Sequence, residues 1–446
     1  KSTWHTLKEL YKTGGQFTMY SEISKQLIEF IDKSPTCFHA VKTMSDILKE
    51  EGFTELKENQ KWHIEKGGKY FVTRNGSSLI AFTIPEQDMK GMRIMASHSD
   101  SPTFKIKENP EMESDGHYIK LNVERYGGMI CAPWFDRPLS VAGRVIVRNS
   151  SEKSPSCPLR TVLVNVDRDL LMIPNLAIHM NREVNDGYKY NAQKDMLPLY
   201  GDAAAKDTFM KTIADAAGVE SGDILGHDLF LYNRQSASIW GASEEFLSSG
   251  RLDDLQCAFS SLKGFLAGEK KEYMAVHCVL DNEEVGSGTK QGAASTFLYD
   301  TLTRAHESLG LTREDYLIHL ADSFMVSADN AHAVHPNHTD KADPVNRPYL
   351  NGGIVIKFNA NQKYCTDGIS AAMFRDICRQ ADVPSQTFVN RSDMAGGSTL
   401  GNISNTQVAL NTVDIGLPQL AMHSPYETVG VRDTEYLVRA AEVLFC

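Results

Sequence analysis

Short, almost uninterrupted apolar runs recur along this chain and alternate with amphipathic, helix-periodic stretches. MRIMASH, EYMAVHCVL, GGIVIKFN and the apolar part of DYLIHLADSFMVSA are such runs. A strand that is apolar on both sides of its pleat must be covered on both faces. That is the condition of a parallel sheet held between helix layers. The layers are legible too. Ile23, Leu27, Ile28 and Ile31 recur at helical spacing, and a second amphipathic stretch runs from about Phe38 to Glu51. Leu255 to Leu266, SAAMFRDICRQA and EYLVRAAEVLF supply further helices in the second half. The expected fold is therefore α/β, with a mostly parallel central sheet covered by helices.

This rhythm is interrupted. From about Pro102 to Ala242 the texture is β-rich, with HYIKLNVERY, SVAGRVIVR and TVLVNV between turn-forming residues and few helical patterns. SSEKSPSCP reads as an exposed loop. Since α/β texture flanks the segment on both sides, one catalytic domain with an insertion is expected. The parts are 19–101 and 243–446, with a β-rich insert at 102–242. Residues 1–18 are a candidate leader ahead of Met19, without the continuous apolar core of a secretory signal.

Composition excludes some functions. Asp and Glu number 57 against 46 Lys and Arg, a formal charge of −11. So acidic a surface disfavours nucleic acid and anionic membranes as partners. No run approaches the ~18 apolar residues of a membrane span. None of the eight cysteines forms a C-x-x-C pair, so reduced, buried thiols and a cytoplasmic setting are expected.

Ligand sites in open α/β sheets form where strands end, and polar residues cluster after several apolar runs. His98 follows MRIMAS, with Asp100 two residues on, able to orient its ring. Arg251-Leu252-Asp253-Asp254 precedes a helix, where an Asp can equally serve as an N-cap. Asp281-Asn282-Glu283-Glu284 follows EYMAVHCVL; one glutamate can ligate and the other act as base, but spacing does not say which. Asp329, His332 and His335 follow a run read as one strand, LIHLADSFMV, and His423 and Glu427 flank a proline turn. Together these residues could ligate two hydrolytic metal ions. Oxygen and imidazole donors without thiolate suit Zn²⁺, Mn²⁺ or Co²⁺.

Ten stretches, in order from Ser34 to Glu427, resemble motifs of the aspartyl aminopeptidase family, which includes the vacuolar aminopeptidases. Among them are SPTCFHAV, MASHSDSPTFKIK, IPNLAIHMNR, GRLDDLQC, DNEEVGSGTKQGA, SADNAHAVHPN, GGIVIKFNANQKY and PQLAMHSPYE. The resemblance implies a metal-dependent aminopeptidase with two divalent ions per subunit, zinc foremost. His98 and Asp329 would ligate one, Glu284 and His423 the other, with Asp253 bridging. Glu283 would be the general base and Asp100 the orienter of His98. His179 would reach the site of a neighbouring subunit to stabilise the oxyanion. Lys357 would meet the side chain of the substrate's first residue, with His332 also on the substrate side. Acidic first residues are expected, with neutral or hydrophobic ones as the alternative. A two-metal carboxypeptidase or deacylase and a non-enzymatic scaffold are the rival readings. The resemblance also implies a homo-oligomer in which the β-rich insert makes dimers and dimers assemble into a tetrahedral dodecamer.

Overall fold

A computed structural model describes residues 16–148 and 159–446. Most of the candidate leader and the SSEKSPSCP loop lie outside the described residues. The largest sheet has nine strands in the order Thr54–Leu56, Lys69–Arg74, Ser78–Thr83, Tyr273–Leu280, Gly91–His98, Phe324–Ala328, Asn411–Gly416, Ile354–Lys357 and Ser385–Phe388. The four strands from Tyr273–Leu280 to Asn411–Gly416 run parallel.

The pleat explains the near-continuous apolar runs. Along Tyr273–Leu280, Ala275 and Val279 face one core, while Met274, Val276, Cys278 and Leu280 face another. Helices Gln16–Asp32, Cys37–Glu50, Leu252–Ala267, Gly368–Gln380 and Asp433–Leu444 cover the first core. Phe297–Ser308, Arg313–Ala321 and Leu400–Ser404 cover the second. Each large side chain buried completely there contributes about 1.5–3 kcal/mol. The mixed α/β fold is as the sequence leads one to expect.

One element differs. LIHLA is not strand: it lies in helix Arg313–Ala321, and the strand starts only at Phe324. The helix begins at a capping box. Thr312 Oγ1 accepts from the Asp315 N–H, and Asp315 Oδ2 accepts from the Thr312 N–H. That reciprocal pair satisfies two otherwise orphaned donors and favours helix over a continuous apolar strand.

A second sheet, of six antiparallel strands, has the order Leu159–Asn165, Leu139–Arg148, Ile224–Asn233, Thr103–Ser114, Tyr118–Tyr126 and Leu199–Asp202. It has its own core, which includes Phe104, Val141, Leu229 and Phe209 of helix Phe209–Ala217. A five-stranded sheet, which includes Glu427–Gly430 and Pro418–Leu420, frames the loop carrying His423. The seven described cysteines are free; Cys37, Cys257, Cys278 and Cys378 are buried, but Cys446 is exposed, contrary to the expectation of burial throughout.

Candidate metal centre

Register brings the candidate residues to one edge. Leu280 pairs with His98, and Ser327 with Ala96, so Asp281–Glu284 and Asp329 emerge beside the His98 ring. Gly416 lets the neighbouring strand pass: a Cβ there would lie 2.0 Å from the Asp329 carbonyl oxygen. Asp253 and Asp254 start helix Leu252–Ala267 with non-helical backbone angles, and neither caps it. Their carboxylates turn inward instead. The helix-cap alternative is therefore not what the structure shows.

Asp253 lies between two histidines. Its Oδ1 is 3.3 Å from His98 Nε2, and its Oδ2 is 3.7 Å from His423 Nε2. On the His98 side, Asp329 Oδ1 is 3.8 Å from the same Nε2. On the His423 side, Glu284 Oε2 is 3.4 Å away. His98, Asp253, Asp254 and Asp329 offer donor atoms within 4.8 Å of one another, as do Asp253, Glu284 and His423. Glu283 joins His98 and Glu284 in a third such group.

Hydrogen bonds behind the rings decide what the Nε2 atoms can do. His98 Nδ1 faces Asp100, 3.3 Å from Oδ1, and His423 Nδ1 faces the Gly128 carbonyl. Those acceptors hold the Nδ1 proton, which leaves each Nε2 as the ring atom aimed at carboxylate oxygens and available to a cation. So many carboxylates around each Nε2 call for positive charge there, a ring proton or a metal ion in its place. Asp253 Oδ1, Asp254 Oδ1 and Glu284 Oε1 are buried without a hydrogen-bond partner. These orphaned oxygens and imidazoles fit zinc, which takes N and O ligands.

Electrostatics agree. Burial, together with neighbouring carboxylates, raises Asp254 and Glu284 well above the usual carboxylate range. Burial disfavours a charged His98, but Asp254, Asp100, Asp253 and Asp329 outweigh it and lift the ring's pKa well above its ordinary value. Burial, with Asp329, Asp100 and Asp253 adding to it and His98 opposing, pushes Glu283 up to about 8. Asp329 is held low despite burial, because Lys357 and His98 favour its charged form.

Three placements were not legible in the sequence. Glu427 accepts from the His423 N–H at 2.8 Å and the Asp253 N–H at 3.0 Å, so it fixes the backbone of both. Asp254 Oδ2 accepts from the His98 N–H at 3.1 Å. Lys357 is buried; its Nζ donates to the Asp329 carbonyl at 2.7 Å and sits 3.7 Å from Asp329 Oδ2. Of the remaining candidates, His332 ends a short strand at the solvent side, its ring 6.0 Å from that of Phe388. It interacts electrostatically with Lys357, Asp253, His423 and Asp329. His179 is not brought to this cluster within the chain. It is exposed in a loop with Leu176, Ile178 and Met180.

Fold and site together define a metallohydrolase with a carboxylate–histidine centre at the strand ends of a covered α/β sheet. Residues 30–445 match the family model described as aminopeptidase I zinc metalloprotease (M18). A probable M18 family aminopeptidase 2 from Clostridium acetobutylicum is 50% identical over 430 residues, covering 95% of this chain and 98% of the relative. The chain in the cryo-EM structure of the Ape4 and Nbr1 complex superposes with a TM-score of 0.91 at 35% identity, covering 97% of this chain and 87% of that one. The Saccharomyces cerevisiae mApe1 dodecamer structure gives a TM-score of 0.83 at 27% identity, covering 96% and 97%. The chain belongs to the M18 family of zinc aminopeptidases.

Proposed function

We propose that this M18 aminopeptidase removes the first residue of peptides at a centre of two divalent cations, with Asp253 shared between them. The observation that carries the reading is the division of the Asp253 oxygens between His98 and His423. His98 and Asp329 would hold one cation, Glu284 and His423 the other. Zinc is the first candidate, with manganese or cobalt as alternatives. A cation pair bound there supplies Lewis-acid polarisation and water activation.

The chain's own groups account for the proton traffic. Glu283, which lies beside His98 and Glu284 in the cluster, can take a proton from water once cations offset the neighbouring carboxylates, and return it to the leaving amine. Asp100 keeps the His98 proton on Nδ1. His179 is exposed, so it is free to enter another subunit and donate to the developing oxyanion. Exposed Leu176, Ile178 and Met180 around it support a docking role for that loop. On this reading, residues 102–242 are a dimerisation domain inserted between the catalytic parts 19–101 and 243–446. Dimers would assemble into a tetrahedral dodecamer, a size suggested by the yeast relative's described dodecamer. The free cysteines fit a cytoplasmic setting.

The preferred first residue is Asp or Glu, read by Lys357. Its ammonium has three donors, and the Asp329 and Asn330 carbonyls engage two. One observation favours a second reading, for neutral or hydrophobic first residues: Lys357 is buried and already close to the Asp329 carboxylate. Release from Asp-, Glu-, Leu- and Lys-anilides, with and without Zn²⁺, Mn²⁺ or Co²⁺, separates these outcomes. Fastest release from Asp or Glu supports the first. Fastest release from Leu supports the second. No release from any with any metal refutes the activity.

A further inference from the structure

Strand Tyr118–Tyr126 belongs to the six-stranded sheet, yet the chain just beyond it touches the back of both candidate ligand histidines. Tyr126 Oη donates to Asp100 Oδ2 at 2.7 Å and accepts from Asn282 Nδ2 at 2.8 Å. Asn282 Oδ1 accepts from Thr289 Oγ1 and Gln291 Nε2, each at 2.8 Å. With its carbonyl taken by two donors, Asn282 must present its amide N–H to Tyr126, and the phenol proton is directed to Asp100. Asp100 then collects donors on both oxygens. Its Oδ1 faces His98 Nδ1 and accepts from the Glu283 N–H, while Oδ2 also accepts from the Glu284 N–H.

Two residues further on, the Gly128 carbonyl accepts from His423 Nδ1, and the Ile130 N–H donates to the His423 carbonyl at 3.1 Å. Between these contacts Gly127 adopts φ +77°, and a Cβ there would lie 3.1 Å from Glu284 Cβ. One five-residue turn therefore buttresses His98 through Asp100, His423 directly, and Glu284 by close approach. Among the described residues, Tyr126 is the one donor to Asp100 that comes from the six-stranded sheet.

We infer that Tyr126 is a positioning residue for the metal centre, acting through Asp100 on His98. By the same geometry, the Tyr126–Ile130 turn makes metal binding at the nine-stranded sheet depend on the six-stranded sheet being docked. This rests on the reading that His98 and His423 hold cations. Without the phenol, Asp100 loses the donor that fixes Oδ2 from the second sheet, and the His98 ring loses a fixed acceptor. Groups in this relation to a metal ligand typically govern metal affinity by roughly 10–100-fold.

Tyr126→Phe removes the hydroxyl and keeps the ring, which packs edge-on against Phe230 at 5.6 Å. Zinc affinity of the metal-stripped full chain is measured by competition with a chromophoric chelator, beside the visible absorption of the Co²⁺-loaded protein and the melting of the metal-free protein. His98→Ala is the control. The expected result is at least about tenfold weaker zinc binding and altered Co²⁺ bands in Tyr126→Phe, with metal-free melting little changed. Zinc affinity and Co²⁺ bands like wild type, while His98→Ala loses metal, overturn the inference and leave the site reading intact. Undiminished metal binding in His98→Ala overturns the site reading and the inference with it. A fall in metal-free stability as large as the loss in binding also overturns it, since the hydroxyl then serves general packing.

Discussion

Asp253 divides its carboxylate between two rings, Oδ1 at 3.3 Å from His98 Nε2 and Oδ2 at 3.7 Å from His423 Nε2. A carboxylate so placed can bridge two cations. Asp253→Asn keeps the shape but replaces one charged oxygen by a donor. It should lower metal affinity by more than the roughly 10–100-fold typical of groups behind a ligand. Zinc content after dialysis, set against wild type, checks this; equal content would contradict the shared role.

Glu283 has a different expected signature. Glu283→Gln should retain metal while kcat falls about 10²–10⁴-fold, the range for a lost general base. Paired measurements of bound zinc and anilide turnover test it. A variant with full turnover refutes the assignment.

Much of this arrangement was legible in the sequence because His98, Glu284 and Asp329 follow apolar runs that mark buried strands. The rest depends on tertiary placement. His423 and Gly128 are separated by 295 positions and meet only when the sheets dock. Spacing could not show that Lys357 turns toward Asp329, nor that Asp254 is spent on the His98 backbone. His423, Asn282 and Arg251 all take left-handed backbone angles, with φ of 67°, 64° and 60°. Asn and His adopt such angles more readily than most residues, but Arg251 does not and is held there by tertiary contacts, which no local pattern reveals. LIHLADSFMV reads as one strand because an apolar run alone does not separate strand from helix.

Lys357→Met should slow every substrate, because the buried Asp329 carboxylate loses the ammonium 3.7 Å from its Oδ2. If Lys357 also reads the first side chain, Asp- and Glu-anilides should lose at least about tenfold more in kcat/KM than Leu-anilide, as expected for one lost charge-assisted contact. Equal losses would favour the neutral-residue reading.

Stability should fall in mild acid through His277, far from any titration at the metal centre. This ring is fully buried, and burial lowers its pKa to about 3. Below about pH 6.5 the unfolded chain takes up a proton at this residue that the folded chain refuses until about pH 3. The contribution is therefore present above pH 6.5 and is lost as pH falls, by up to about 1.4 kcal/mol per unit. Denaturation of wild type and His277→Gln at several pH values between 7.5 and 4.5 measures it. Gln can still bond Ser261, the present partner of Nδ1 at 2.8 Å. The variant should show a shallower slope by about one proton; identical slopes would contradict the account.

If His179 acts in a neighbouring subunit, inactive Glu283→Gln and His179→Phe chains should restore part of the activity when assembled together. Verified mixed assemblies with no recovery would count against that role.

The most direct test of the two-cation centre is the turnover of metal-stripped protein as zinc is added stepwise. Activity should be near zero without metal and level off at two equivalents per chain. Full activity without metal, or a plateau at one equivalent, would contradict a centre in which Asp253 joins two cations.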